Sequence, residues 1–359
     1  MTELRILTIV GARPQFVKAA AMSRAFAVAD GISEILVHTG QHFDPNMSQI
    51  FFEELRLAAP RVNLGIHSGS HGEMTGRMLA ALERIIIEER PDLVLVPGDT
   101  TSTLAGALAA AKLNVPVCHL EAGLRSHNRL MPEEINRVLT DHVSALLLCP
   151  TATAVENLRL EGIVHGIHYI GDVMYDATLF AAAAARRSRV LGRLGIAGRS
   201  FAIATIHRAE STKDRETLGE IVAFLRERTR DYVVVLPIHP RTRKRIEAWK
   251  LDLAGITTCD PVGYLDMHRL LQSAVTVFTD SGGLQKGAYF HRIPCVTLRS
   301  ETEWVETIEA GWNRLWKGPD YAPRREIGAF GDGCAAAKAV ALIIDYVRCQ
   351  SRIVFEPSP

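Results

Sequence analysis

The sequence predicts an α/β protein built from two Rossmann-like domains with parallel sheets, and three observations predict it. Apolar runs of strand length alternate with amphipathic runs of helix length. The strands are apolar along their whole length, which is typical of a parallel sheet covered by helices on both faces. The alternation restarts near the middle of the 359-residue chain, and this length suggests two domains of ordinary size.

The first domain is expected to comprise residues 1–172. Its predicted strands lie near Arg5–Val10, Glu34–His38, Leu93–Pro97, Val115–Leu120, Ala145–Cys149 and His168–Ile170. Its predicted helices are Val17–Ala29, Asn46–Leu55, Gly72–Glu89, Ser102–Lys112, Glu134–Val143 and Ala152–Glu161. At least one helix between each pair of successive strands predicts parallel pairing, with a helix in each crossover.

The second domain is expected to comprise residues 173–332. Its predicted strands are Phe201–Ile206, Tyr232–Pro237, Ile256–Cys259, Val275–Thr279 and Cys295–Leu298. Its predicted helices are Arg215–Arg228, Thr242–Leu251, Tyr264–Gln272 and Gly283–Phe290. Residues 333–359 are expected to contain a C-terminal helix that is long enough to pack back on the first domain.

Composition excludes several classes of partner. The formal net charge is +1, which disfavours binding to nucleic acid or to an anionic membrane surface. No apolar run approaches the ~20 residues of a membrane-spanning helix, and Glu3 stands where a signal peptide would be basic. Six scattered cysteines form no C-x-x-C pair, so no structural zinc or disulfide framework is expected. We therefore expect a cytoplasmic protein without a metal.

Basic residues concentrate after the predicted strands, where open parallel sheets bind their ligands. They are Arg13, Lys18, Arg125, Arg137, His207, Arg208, His239, Arg241 and Arg299. Such a set suits an anionic ligand such as a diphosphate. The helix start Ser281-Gly282-Gly283 adds backbone N–H groups and a favourable helix dipole. We expect the two sheets to present these loops to one another across a cleft.

Carboxylates occupy similar positions. Asp99 and Glu121 follow predicted strands, and Glu133 and Glu134 open a helix after Pro132. Asp99 could equally cap the next helix, and the helix dipole alone favours either glutamate. Glu121 has the weakest structural reason to be where it is. Acids beside a cationic rim indicate acid–base chemistry on a bound anion. The phosphate-loop and dinucleotide-binding glycine motifs are missing, which disfavours ATP and NAD.

Ten short motifs carry a resemblance to a known family. They read GARPQFVK, TGQHFDPNMSQIFFEEL, GDTTSTLAGALAA, HLEAGLRS, MPEEINR, HRAES, HPRTR, DPVGYLDM, TDSGGLQK and RSETEWVE. Their order and spacing, from Ile6 to Cys334, resemble the non-hydrolysing UDP-N-acetylglucosamine 2-epimerases. The resemblance implies a GT-B-like pair of Rossmann-like domains, a UDP-sugar substrate, a homodimer and no cofactor.

Two stretches distinguish substrate branches within that family. The common branch usually has GTRPE and TERPE, whereas this chain has Arg13-Pro14-Gln15-Phe16 and Thr302-Glu303-Trp304. It is similar here to the branch that acts on UDP-2,3-diacetamido-2,3-dideoxy-D-glucuronate in the synthesis of surface polysaccharides such as lipopolysaccharide. The alternatives are a UDP-N-acetylglucosamine 2-epimerase and a UDP-sugar-binding protein with degraded activity. A two-domain glycosyltransferase would not need so many acids.

The resemblance also implies residue roles. UDP is eliminated to leave a glycal and is added back with inverted configuration at carbon 2. The expected catalytic residues are Asp99, Glu121, Glu133 and His207. The expected substrate-binding residues are Arg13, Lys18, Arg125, His239, Met267, Ser281, Gly282, Gly283 and Arg299. One position departs from the family, because Gly287 replaces a Glu that typically holds both ribose hydroxyls of UDP. Either another acceptor substitutes for that Glu, or UDP binds weakly.

Overall fold

A computed structural model describes residues 3–42 and 49–353. The described residues divide into two compact units. One unit contains the residues up to 177 together with those from 328 onward, and the other contains residues 178–327. The predicted domain limits, after residues 172 and 332, lie within five residues of the limits of these units. The division of the chain into domains stays a prediction.

The first unit is built on a seven-stranded parallel sheet. Its strands are β1 (Leu4–Val10), β2 (Ile32–His38), β3 (Val62–Asn63), β4 (Leu93–Pro97), β5 (Val117–Leu120), β6 (Leu146–Cys149) and β7 (Ile167–Tyr169). The order across the sheet is β3-β2-β1-β4-β5-β6-β7. The intervening helices are α1 (Arg13–Ala27), α2 (Gln49–Leu55), α3 (His71–Glu89), α4 (Thr101–Lys112), α5 (Pro132–Val143) and α6 (Ala152–Leu160). Helix α7 (Val173–Ala185) runs on into the second unit.

The second unit repeats this plan with a six-stranded parallel sheet. Its strands are β8 (Phe201–Thr205), β9 (Val233–Pro237), β10 (Ile256–Cys259), β11 (Thr276–Thr279), β12 (Cys295–Thr297) and β13 (Asn313–Leu315), in the order β10-β9-β8-β11-β12-β13. Its helices are α8 (Val190–Arg193), α9 (Arg215–Arg228), α10 (Pro240–Ala248), α11 (Tyr264–Leu271), α12 (Gly282–Phe290) and α13 (Val305–Glu309). Helix α14 (Ala335–Ile353) follows and packs against α1 of the first unit.

Close packing of helices on the sheets accounts for the apolar strands. Every residue of β4 is buried, and α4 lies directly against the sheet. A side chain at Gly106 of α4 would place its Cβ 2.7 Å from Cδ1 of Ile9, so the helix approaches β1 only because that position is glycine. No helix in the described ranges combines the length and the apolar character needed to span a bilayer.

The predicted α/β class, with two parallel sheets, is confirmed. Three helices, α1, α5 and α10, begin two or more residues earlier than predicted, because Pro14, Pro132 and Pro240 occupy their first turns. Proline lacks an N–H, but the first helical turn leaves its N–H groups unpaired in any case. The part of the second predicted helix at residues 46–48 lies outside the described residues.

Candidate active site

Three neighbouring strand ends carry the charged residues of the first unit. Strands β1, β4 and β5 are adjacent, and the sheet order reverses between β1 and β4. Ligands of open α/β sheets bind outside the strand ends at such a reversal. Helix α1 carries Lys18 after β1, Asp99 follows β4, and Glu121 follows β5. The fold therefore brings three of the predicted site residues to one edge of one sheet.

Lys18 and Glu121 form an ion pair that is almost buried. Lys18 Nζ contacts Glu121 Oε2, and only 6% and 9% of the two side chains are exposed. Both groups border Gly98, because a Cβ added there would lie 3.0 Å from Lys18 Nζ and 3.7 Å from Glu121 Oε2. Glu121 itself adopts a positive φ of 76°, which is strained for a residue with a side chain. Strain of this kind concentrates at functional sites.

Asp99 lies one residue beyond Gly98 and is paired with a cation from α5. Its Oδ2 contacts Nη2 of Arg137, and its carbonyl oxygen accepts a 2.9 Å hydrogen bond from Nδ2 of Asn136. The cap of α4 is Thr100, whose hydroxyl accepts from the Thr103 N–H at 3.3 Å. Capping therefore does not explain Asp99, whose side chain remains 31% exposed.

The two adjacent glutamates of α5 differ sharply. Glu134 is buried and accepts hydrogen bonds from the Ser126 N–H at 2.9 Å, from the His127 N–H at 2.9 Å and from Arg137 Nη1 at 3.0 Å. The Glu133 side chain is half-buried and forms no hydrogen bond or ion pair with any described residue. Glu133 lies four residues before Arg137, so both side chains project from the same side of the helix. Of the two glutamates, Glu133 is thus the one whose carboxylate is not used by the described part of the fold, and it projects from the side of α5 that carries Arg137, the partner of Asp99.

Arg125 belongs to a buried charge network rather than to an open rim. Its Nη1 donates to Asp141 Oδ2 at 2.7 Å, and its Nε and Nη2 donate to Glu161 at 2.6 and 2.7 Å. His119 places Nδ1 2.6 Å from Asp141 Oδ1 and Nε2 2.7 Å from the carbonyl oxygen of Gly98. Burial alone would raise the pKa of Asp141, but His119 and Arg125 outweigh it and hold that pKa below its usual value. The network supports the peptide beneath Lys18 and Glu121.

From sequence, Gln15 only distinguishes substrate branches of the family, but in the structure its side chain joins two strand ends. Its Oε1 accepts from the backbone N–H groups of Gly11 and Ala12 at 2.8 and 3.0 Å. Its Nε2 donates to the carbonyl oxygen of Pro97 at 2.9 Å. The same helix turn carries Arg13, where burial is the main influence and lowers the pKa of the guanidinium. Gln15 therefore fixes the loop that presents Arg13.

Strands β8 and β11 are the corresponding central pair of the second unit. His207 follows β8, and Asp280 follows β11. His207 Nδ1 lies 3.0 Å from Asp280 Oδ1; the histidine side chain is 42% exposed, whereas the carboxylate is fully buried. The His239 ring lies near, with its centroid 6.4 Å from that of His207. Two predicted site histidines thus share this strand edge.

Helix α12 begins with the Ser281-Gly282-Gly283 turn. Ser281 is the N-cap, and its hydroxyl accepts from the Leu284 N–H at 3.4 Å. A Cβ added at Gly282 would lie 2.3 Å from Glu303 Oε1 and 3.2 Å from Trp304 Nε1. The position must be glycine because the Glu303 and Trp304 side chains pack directly against the backbone at the start of the helix.

Glu303 also contacts two arginines at this edge of the second sheet. It accepts from Arg299 Nη1 at 2.9 Å and contacts Arg208 Nη2 at 3.5 Å. Arg299 is therefore close to the start of α12, as the strand-end pattern predicts. Met267 lies on α11, where it packs partly buried against the apolar core of the second unit. These contacts make Met267 part of the support of α11.

Gly287 lies in the middle of α12. A Cβ added there would lie 3.5 Å from Leu271 Cδ1, which is an ordinary van der Waals contact. The backbone at Gly287 is helical, so neither φ nor packing requires glycine at this position. Among residues 3–42 and 49–353, no group of three or more histidine, cysteine or acidic side chains is arranged to hold a metal ion.

Each of the two Rossmann-like units carries acidic and basic residues where its central strands end, and this is where enzymes with open α/β sheets bind their ligands. A family model described as UDP-N-acetylglucosamine 2-epimerase matches residues 24–341. The chain belongs to this family and is a UDP-sugar 2-epimerase, which is an isomerase.

Three relatives illustrate the similarity. The chain is 54% identical over 317 residues to a Pseudomonas aeruginosa protein named UDP-2,3-diacetamido-2,3-dideoxy-D-glucuronate 2-epimerase, covering 87% of this chain and 88% of the relative. It is 50% identical over 320 residues to a UDP-N-acetylglucosamine 2-epimerase homolog of Methanococcus maripaludis, with the same coverage. The crystal structure of the Methanocaldococcus jannaschii UDP-GlcNAc 2-epimerase in complex with UDP-GlcNAc and UDP superimposes with a TM-score of 0.88 at 40% identity, covering 96% of this chain and 100% of that one.

Proposed function

We propose that this protein inverts carbon 2 of a UDP-linked 2-acetamido sugar, and that its substrate is UDP-2,3-diacetamido-2,3-dideoxy-D-glucuronate. The observation that carries the reaction is the cluster of Lys18, Asp99 and Glu121 around Gly98 at the reversal of the first sheet. The 54% identical relative bears the name of the diacetamido-glucuronate epimerase and supports this substrate. The product would enter surface-polysaccharide synthesis in the cytoplasm, and the protein would act as a homodimer.

The first unit supplies the proton transfers. A carboxylate among Asp99, Glu121 and Glu133 removes the proton at carbon 2, the C1–O bonding pair leaves with UDP, and a C1=C2 double bond forms. A second acidic side chain, which is in its protonated form, then gives its proton to carbon 2 from the opposite face while UDP adds back to carbon 1. Positioned proton transfer of this kind typically contributes about 100- to 10,000-fold to the rate. The Lys18 ammonium holds the Glu121 carboxylate in place through their ion pair.

The second unit stabilises the departing nucleotide. Negative charge grows on the diphosphate as the C1–O bond breaks, so donors already in position lower the barrier. His207, Arg299 and the N–H groups of the Ser281-Gly282-Gly283 turn are placed at one strand edge to supply them. Arg13 and Lys18 are the cationic substrate-binding residues that we propose for the first unit. His239 and Arg125 then act through their neighbours, His207 and Asp141.

Gly287→Glu is expected to strengthen UDP binding about 5- to 150-fold, because it restores a carboxylate for the ribose hydroxyls, worth about 1–3 kcal/mol. Space for the added Cβ is available beside Leu271. Isothermal titration calorimetry with UDP measures the change. Gly287→Ala is the matched control, since it adds the Cβ without an acceptor and should leave the dissociation constant unchanged. Equal affinity of the natural protein and the glutamate variant would show that no ribose contact is missing.

A comparison of two substrates tests the proposed function. The purified protein is incubated separately with UDP-2,3-diacetamido-2,3-dideoxy-D-glucuronate and with UDP-N-acetylglucosamine, and the products are identified by proton NMR. The expected result is conversion of the first from gluco to manno configuration at the higher kcat/KM. Preference for UDP-N-acetylglucosamine would select the alternative substrate. Binding of both without conversion would identify a sugar-nucleotide-binding protein with degraded activity.

A further inference from the structure

Asp280 is a buried carboxylate whose polar contacts are concentrated on one turn. Its Oδ2 accepts from the backbone N–H groups of His207 and Arg208, both at 2.9 Å. Its Oδ1 lies 3.0 Å from Nδ1 of His207 in an ion-pair contact that is not aligned as a hydrogen bond. A small rotation of the half-exposed imidazole would align it, and contacts in active sites commonly tighten when the ligand binds. Asp280 therefore contacts both the backbone N–H and the ring of His207.

The charge on Asp280 persists despite full burial. Burial by itself would raise its pKa, but the His207 charge and the two backbone N–H groups outweigh burial and lower the pKa to about 2. A buried carboxylate is stable only where donors surround it. Its partners here come from the turn after β8, which is the turn that carries His207.

We propose that Asp280 is a positioning residue, which keeps Nδ1 of His207 protonated and directs Nε2 toward the diphosphate of the substrate. A carboxylate oxygen can only accept, so the ring nitrogen facing it must donate. The ring can then donate at Nε2 only as an imidazolium, whose charge Asp280 balances. This role rests on the proposed function, because it assumes that His207 stabilises departing UDP. Nothing in the family match assigns a role to Asp280.

A purely structural role for Asp280 is the competing explanation, since its two backbone hydrogen bonds also hold the turn. Thr242 holds the same loop through the backbone, because its buried Oγ1 donates to the carbonyl oxygen of Ile206 at 2.6 Å. Thr242→Val removes that hydrogen bond at nearly constant volume. It is therefore a matched control for loosening the turn while leaving the His207–Asp280 contact in place.

Asp280→Asn is expected to remove the proton from Nδ1 of His207. An asparagine that keeps its carbonyl oxygen on the backbone N–H groups must turn its NH₂ toward Nδ1, which then has to accept. We expect kcat to fall at least about 100-fold, with KM changed less than about threefold. Nitrogen-15 NMR of histidine-labelled protein, with His207 assigned from a His207→Gln spectrum, should show that Nδ1 has lost its proton while Nε2 keeps its own. Thr242→Val should lower the melting temperature by a few degrees and change neither the ring signals nor kcat by more than a few-fold.

The natural protein also gives a result that does not depend on whether Asp280→Asn folds. Its His207 should show a protonated Nδ1, and an unprotonated Nδ1 would overturn the proposal. A wild-type kcat in Asp280→Asn, or an equal loss of kcat in Thr242→Val, would also overturn it. If the natural protein converts no UDP-sugar, the proposed function fails, whereas the NMR spectrum still decides whether Asp280 fixes the His207 ring.

Discussion

Glu133→Gln is expected to lower kcat about 100- to 10,000-fold while the protein stays as stable as the natural one. The substitution removes a base of nearly unchanged shape, and a positioned acid or base contributes about this much. Stability should not change, because the Glu133 side chain bonds to no described residue. Initial rates with the UDP-sugar and thermal unfolding of the same preparations measure both quantities.

Glu134→Gln is the control one residue away and should behave in the opposite way. The Glu134 carboxylate holds the loop at Ser126 and His127 and pairs with Arg137. Replacing one oxygen by an NH₂ group sets a donor against donors, which costs about 1–3 kcal/mol. We expect lower stability and a smaller loss of kcat. An active Glu133→Gln variant, together with a stable and inactive Glu134→Gln variant, would exchange the roles of the two residues.

Asp141→Asn is expected to lower the free energy of unfolding by about 3–5 kcal/mol, because it removes one partner of a buried ion pair. The carboxylate is buried between His119 and Arg125. His119 would lose its anionic partner, and Arg125 would keep only Glu161. Urea denaturation followed by circular dichroism at pH 7 measures the change. Glu161→Gln is the control, because Glu161 binds the same arginine but is 29% exposed and should cost about 1 kcal/mol or less.

The stability lost in Asp141→Asn should depend on pH. The pKa of Asp141 is lower in the folded protein than its usual value, so the carboxylate contributes stability above the unfolded pKa of about 3.9. That contribution is lost as the pH falls through the lower folded pKa. The difference between natural and variant protein should therefore be full at pH 7 and narrow below about pH 4. A difference that stays constant from pH 7 to pH 3 would contradict the charge network.

Most strands can be predicted from the sequence because they are apolar along their whole length. The predicted strands Leu93–Pro97 and Ile256–Cys259 have the bounds found in the structure. Strands β3 and β13 were missed because two or three residues carry too little pattern. Helix α7 was missed because its alanine-rich half has no polar face to mark a period.

The contacts within the site are harder to predict from the sequence, because they join residues that are far apart along the chain. Asp99 and Glu121 could be singled out, since an acid directly after a buried strand has few structural reasons to be there. Nothing near Asp141 in the sequence shows that it faces Arg125, so a buried network was taken for part of a basic rim. Asp280 directly precedes the Ser281-Gly282-Gly283 turn, and the sequence pattern indicates a ligand site only at the turn. Gln15 gave no signal beyond its departure from the usual family residue.

Turnover of UDP-2,3-diacetamido-2,3-dideoxy-D-glucuronate in deuterium oxide, with oxygen-18 in the C1–O–P bridge, tests most directly whether carbon 2 is deprotonated while UDP departs. Each epimerised molecule should carry one deuteron at carbon 2. Oxygen-18 should also spread into the non-bridging positions of the β-phosphate, because released UDP rotates before it adds back. An epimer that retains its original hydrogen at carbon 2, with oxygen-18 still confined to the bridge, would contradict elimination and re-addition of UDP.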